Sequence, residues 1–206
     1  MRILLVLLPA VLLHAEFVDG IVATVGRTVI TDSMVRRSLR AGALLAREPL
    51  DESGSKWEQN RERLIEQALV KEEIRISRYG VAQPDEVRSS MEQIRTQFGG
   101  KTAFEAKLHE YKLKEADVAD NVAWQITFAR FIAYRFRPAV QVTDEALRAF
   151  YKTWTPPGPK PSLEDARERV EEEFFAEEAS RHLDRWLTDV RQQTRIETLE
   201  PKGLRP

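Results

Sequence analysis

The chain contains no cysteine, which excludes disulfide staples, zinc-thiolate sites, thiol nucleophiles and a lipid-bearing cysteine. Histidine is also scarce. Of three, His14 lies in the leading apolar stretch, leaving His109 and His182 as imidazole bases. No serine sits in a Gly-x-Ser-x-Gly elbow, so nucleophilic catalysis has no visible machinery and no enzyme is expected. An excess of charge of one sign is missing too. Lys+Arg is 32 and Asp+Glu is 33, net −1, with the signs interspersed. That argues against nucleic acid as the main partner.

Long hydrophobic runs are confined to the start. Met1-Arg2, the apolar stretch from Ile3 to Leu13, and His14-Ala15 follow the order of a secretion signal, with cleavage expected after Ala15. The run is well short of the roughly 20 residues a helix needs to cross a bilayer. An uncleaved anchor is the competing reading; otherwise no membrane insertion is expected.

What is present is mostly helical pattern, and the expected fold is mainly α with a small N-terminal β-hairpin. Ile21 to Val25 and Thr28 to Ile30 are β-branched runs around Gly26-Arg27, a hairpin signal. Thr31-Asp32-Ser33 supplies capping side chains for a helix carrying Met34, Val35, Leu39 and Leu44. After an aperiodic loop from Arg47 to Lys56, a long helix is expected from about Trp57 to Tyr79, with Leu64, Ile65, Ala68, Leu69 and Ile76 on one face. Pro84 starts the next helix, whose Val87, Met91, Ile94 and Phe98 recur at helical spacing until Gly99-Gly100 closes it. Thr102 to Glu105 reads as a capping box.

From Glu115 to Phe136 two apolar stripes run side by side. Val118, Val122, Ile126, Ala129 and Ala133 make one; Trp124, Phe128, Phe131 and Ile132 make the other. A helix apolar on two sides is either buried on both or lends one to a partner. Helical aromatic stripes are more often core, and both readings stay open here.

Pro138 stops this helix and Thr143-Asp144-Glu145 opens a short one. Residues 154–161, with four prolines, cannot be helical and read as a stiff, extended connector. Ser162 to Asp165 is expected to cap a last long helix, and residues 195–199 to form a strand that pairs with the hairpin. Glu178 and His182 stand one helical turn apart, but no third ligand is evident and a solvated face is the expected reading. Neither metal nor cofactor is expected.

Three segments in this order resemble the SurA N-terminal family, which includes secreted foldases of the parvulin group. They are Val18 to Val25 with Val29-Ile30-Thr31; Phe98-Gly99-Gly100 through Phe104 and Leu108 to Phe131-Ile132; and Ser162 through Trp186-Leu187 to Ile196-Glu197. In that family N-terminal helices and a C-terminal helix with its strand make one core module, with parvulin prolyl isomerase domains inserted between. Here the corresponding interval is residues 154–161, with no room for a domain of roughly a hundred residues.

With residues 1–15 read as a signal peptide and 201–206 as a frayed tail, the resemblance implies 16–200 as a SurA-like peptide-binding domain. Within the domain, 16–153 is the N-terminal part and 162–200 the C-terminal helix and strand. It implies a periplasmic, ATP-independent holdase for unfolded outer-membrane or secreted polypeptides, without isomerase activity. An adaptor holding one dedicated partner in the same groove is the alternative. Met91, Phe98, Trp124, Phe128 and Phe131 are the expected client contacts. A flexible connector would also permit a domain-swapped homodimer.

Overall fold

The computed structural model describes residues 19–77 and 79–200. The expected signal peptide and tail lie outside the described residues. In chain order the elements are β1 (Ile21–Val25), β2 (Thr28–Thr31), α1 (Asp32–Ala46), α2 (Gly54–Ser77), α3 (Pro84–Gln97), α4 (Lys101–Glu110), α5 (Glu115–Phe136), α6 (Asp144–Thr153), α7 (Arg167–Gln193) and β3 (Ile196–Thr198). The fold is mainly α with one small antiparallel sheet, as the sequence pattern predicts. Among the described residues no helix is long and apolar enough to cross a membrane.

The sheet order is β2-β1-β3, so the last strand of the chain flanks the first. Gly26 makes the hairpin turn at φ +56°, a conformation that costs glycine little, and its N–H donates to the Arg195 carbonyl at 2.9 Å. Val25 pairs with Thr28 on one side and with Ile196 on the other. This is how the C-terminal segment closes onto the N-terminal one. A two-stranded hairpin alone would be marginal.

Thr31 caps α1, and Asp19 reaches the same helix start: the Ser33 N–H and hydroxyl both donate to its carboxylate. Burial would raise the Asp19 pKa, but these hydrogen bonds outweigh it and the carboxyl is held below its usual range. Two further bonds fix α2 on α1. The Trp57 indole N–H donates to Asp32 at 2.7 Å, and the buried Asn60 amide donates to the Val35 carbonyl at 2.7 Å.

Three apolar clusters run along the chain. The first joins the sheet to α1, α2, α5 and α7 through Val22, Ile30, Val35, Ile65, Val70, Phe131 and Leu187. The second holds α3 and α4 against the far ends of α1 and α5, through Leu44, Met91, Phe104, Leu108 and Val118. The third is a small satellite of α6, the connector and the start of α7, built on Leu147, Trp154, Ala166 and Val170. Full burial of one such side chain stabilises by about 1.5–3 kcal/mol.

Several local expectations differ from the structure. α2 begins at Gly54, inside the expected loop. Ile76 is 60% exposed although it shares a face with Ala68 and Leu69, because at that point the face borders an open cleft. Thr102 is not a cap: Gly100, at φ +102°, turns the chain into α4 at Lys101, and Thr102 falls within the first turn. Ser162 does accept from the Asp165 N–H at 3.1 Å, but this closes a separate turn, and α7 starts only at Arg167.

The connector is not a loose tether. Trp154 is buried, its indole N–H donates to Glu173 at 2.6 Å, and the Arg169 guanidinium covers its ring at 4.7 Å. Lys160 donates to the Tyr151 carbonyl at the end of α6, and the Tyr151 hydroxyl donates to the Pro161 carbonyl, each at 2.5 Å. The proline segment is folded back on α6 and pinned at both ends.

Candidate functional site

The five expected contact residues do not converge. Met91 is 3% exposed and Phe131 is fully buried, so neither offers surface to a ligand in this conformation. Phe98 is half-buried against Phe104 in the α3–α4 cluster, with the Arg47 guanidinium 5.2 Å from its ring centre. Only Trp124 and Phe128 share an accessible surface. Their rings stack at a centroid distance of 5.4 Å, and both are partly buried on the main cluster. The aromatic stripe therefore divides: Phe131 anchors α5 in the core, and the two aromatics N-terminal to it face a furrow.

The furrow exists because α1 packs closely on both α2 and α5, whereas the backbones of α2 and α5 stand further apart and meet only through side chains. Long side chains bridge the gap. The Lys71 ammonium sits 5.3 Å from the Trp124 ring centre, and Arg135 on α5 reaches Glu73 on α2 at 3.5 Å. The C-terminal half of α7 closes one wall with Leu183 and Leu187. Between these four helices lies a cavity of about 260 Å³, floored by Leu64, Val70, Trp124 and Phe128. That is just below the roughly 300–1,000 Å³ of sites for compact small molecules, and suits one large apolar side chain.

The rim is polar and carries three side-chain amides: Gln67 from α2, and Asn121 and Gln125 from α5. Gln125 donates to Asn121 at 2.9 Å, which orders the pair on the α5 side. A carboxamide carries both a donor and an acceptor, so it can bond a peptide unit whatever the adjacent side chain. Sequence reading passed over these residues. The available signal was the i, i+4 pair Asn121 and Gln125 flanking the aromatic stripe.

Two titratable groups at the furrow are displaced from their usual ranges. Burial pushes the Lys71 ammonium down, with Asp120 opposing. Burial pushes the Glu66 carboxyl up; Arg191 pulls it back, while Glu62 and Asp184 add to the rise. Arg191, on α7, binds Glu62 at 2.9 Å and lies 3.6 Å from Glu66, clipping α7 to α2 beside the cavity.

No protein-family model matches this chain, and neither does any curated protein. Chemical function rests on the site itself.

Among the described residues no group of three or more His, Asp or Glu converges as a metal site. Glu178 pairs with Arg181, and the His182 ring lies 6.2 Å from that of Phe136 and 3.3 Å from an Arg185 nitrogen. Both residues are half-buried, and no third metal-ligating side chain joins them among the described residues.

Proposed function

We propose that this chain is an ATP-independent holdase of the periplasm, related to the SurA N-terminal family, that captures extended segments of unfolded outer-membrane or secreted polypeptides in the furrow between α2 and α5. One observation carries this reading: two stacked, accessible aromatics, Trp124 and Phe128, lie under a rim of three carboxamides. Aromatic floors accept varied apolar side chains, and amides accept main chain of any sequence. Together they give modest, sequence-tolerant affinity, which release without a nucleotide requires.

The chain's organisation supports the family relationship. β3 joins the hairpin, so N- and C-terminal segments make one module. The interval between α6 and α7 is a short pinned loop, too short to hold an inserted isomerase domain.

The test is light scattering of an unfolded outer-membrane protein diluted from denaturant, with and without the chain, beside a prolyl isomerisation assay on a short peptide. Suppressed aggregation without isomerisation is the expected result. Unchanged aggregation would move the reading to an adaptor with one dedicated partner.

A further inference from the structure

A second cleft lies on the other side of the α2–α7 seam, under the hairpin turn. Its volume is about 780 Å³, and its apolar lining comes from Val25, Ala68, Leu69, Ile76, Trp186 and Val190. Ile76 stands 60% exposed on its wall, a large aliphatic side chain that no described residue covers.

The mouth is charged, and its charges do not cancel. Arg75 is held bidentately by Glu72, Glu73 is taken by Arg135, and Arg195 is paired with Glu197. Arg27, at the tip of the hairpin, makes no ion pair of its own among the described residues; its charge reaches only Glu72, which Arg75 already holds. One guanidinium is left over at the rim of an apolar cleft. Its complement is a carboxylate attached to an apolar group.

The adjacent strand decides what kind of molecule carries them. β3 leaves the rim of the cleft at Thr194 and Arg195 and lies at the edge of the sheet. The Arg195 carbonyl and the Leu199 N–H both bond to the β1 side, through Gly26 and Val22. By the two-residue period of a strand, the backbone groups of Ile196 and Thr198 face outward. Such strand-edge groups bond water in the free chain and offer an extended peptide a ladder of main-chain bonds that a fatty acid or detergent cannot form.

We infer that the cleft under the hairpin is a second peptide site, which takes an apolar side chain with a neighbouring acidic residue and pairs the segment's main chain to the free edge of β3. It shares with the holdase reading the premise that extended polypeptide is the ligand, but it uses different residues.

The test is fluorescence anisotropy of a dye-labelled octapeptide containing Phe-Asp, titrated with the full chain. Replacing the peptide's Asp by Asn is expected to weaken binding about fivefold, the size of an exposed charge pair. Arg27→Gln removes this difference, Ile76→Ser weakens both peptides, and main-chain N-methylation of the octapeptide abolishes binding. Trp124→Ser with Phe128→Ser removes any furrow share of the signal but leaves the Asp/Asn difference unchanged.

Equal affinity of the Asp and Asn peptides for the unaltered chain would overturn the proposal. So would full binding of the N-methylated peptide, which would point to an amphiphile. Loss of the Asp/Asn difference in the furrow variant would place the acidic segment in the furrow. If no octapeptide binds while aggregation is still suppressed, the cleft assignment fails alone and the holdase reading stands.

Discussion

The Lys71 ammonium of α2 lies 5.3 Å from the centre of the Trp124 ring of α5, spanning the gap between the two helix backbones. It sets a positive charge beside the Trp124 ring, a group that a π face attracts. The contact is worth about 0.5–1 kcal/mol in a partly exposed setting, small enough for a ligand to displace. Lys71→Met is therefore expected to change thermal stability little while increasing the binding of an environment-sensitive apolar dye. Unchanged dye binding would show that the ammonium does not cover the floor.

Phe131 and Trp124 belong to one stripe but to different environments, and their substitutions should separate. Phe131→Ala removes a fully buried ring and is expected to cost about 3–5 kcal/mol. Trp124→Ser with Phe128→Ser trims half-buried rings, leaving helicity intact and lowering client holding. Circular dichroism melts and a scattering assay on the same samples check both. Equal loss of helicity in the two variants would make the furrow aromatics core residues.

Glu66 gives a pH dependence of defined sign. Its native pKa is raised above the ordinary 4.5 by burial and by Glu62 and Asp184, against the pull of Arg191. Above the raised value the folded state alone bears the cost of an ionised, partly buried carboxylate. As pH falls through it, the folded state binds the proton before the unfolded state does, so stability rises until both are protonated. Glu66→Gln should be more stable than the unaltered chain at pH 7, with the advantage shrinking toward pH 5. Melts at both pH values measure it, and an advantage that grows on acidification would contradict the assignment.

Trp154 holds the connector, and with it the path of the chain into α7. Exchange of α7 between two copies would have to break its bond to Glu173 and its packing on Leu147 and Val170. The unaltered chain is therefore expected to run as a monomer in light scattering coupled to gel filtration. Trp154→Ala should free the connector and populate a dimer at high concentration. A dimer formed equally by both proteins would show that the pin does not control exchange.

The elements were legible where local chemistry decides them. Gly26 between β-branched runs gave the hairpin, Thr31 and Thr143 gave caps, and the Glu115–Phe136 periodicity matched α5 end to end. Coverage was not legible, because periodicity assigns residues to a face and says nothing of what lies against it. Thus Phe131 and Phe128 look alike in the sequence, yet only Phe131 meets Tyr79, Phe136 and Trp186 together in the core. Ile76 was on the predicted face but borders a cleft. Asn60, a polar residue buried through its bond to the Val35 carbonyl, carries no sequence signal for burial at all.

The central claim is that extended client chain lies between α2 and α5, and site-specific photo-crosslinking tests it most directly. A photoreactive residue would replace Gln125 at the furrow rim, or Glu172 on an exposed part of α7, and each protein would be irradiated with a denatured outer-membrane protein. Strong client crosslinks from position 125 and weak ones from position 172 are predicted. Crosslinks of equal strength from both, or from position 172 alone, would contradict the account.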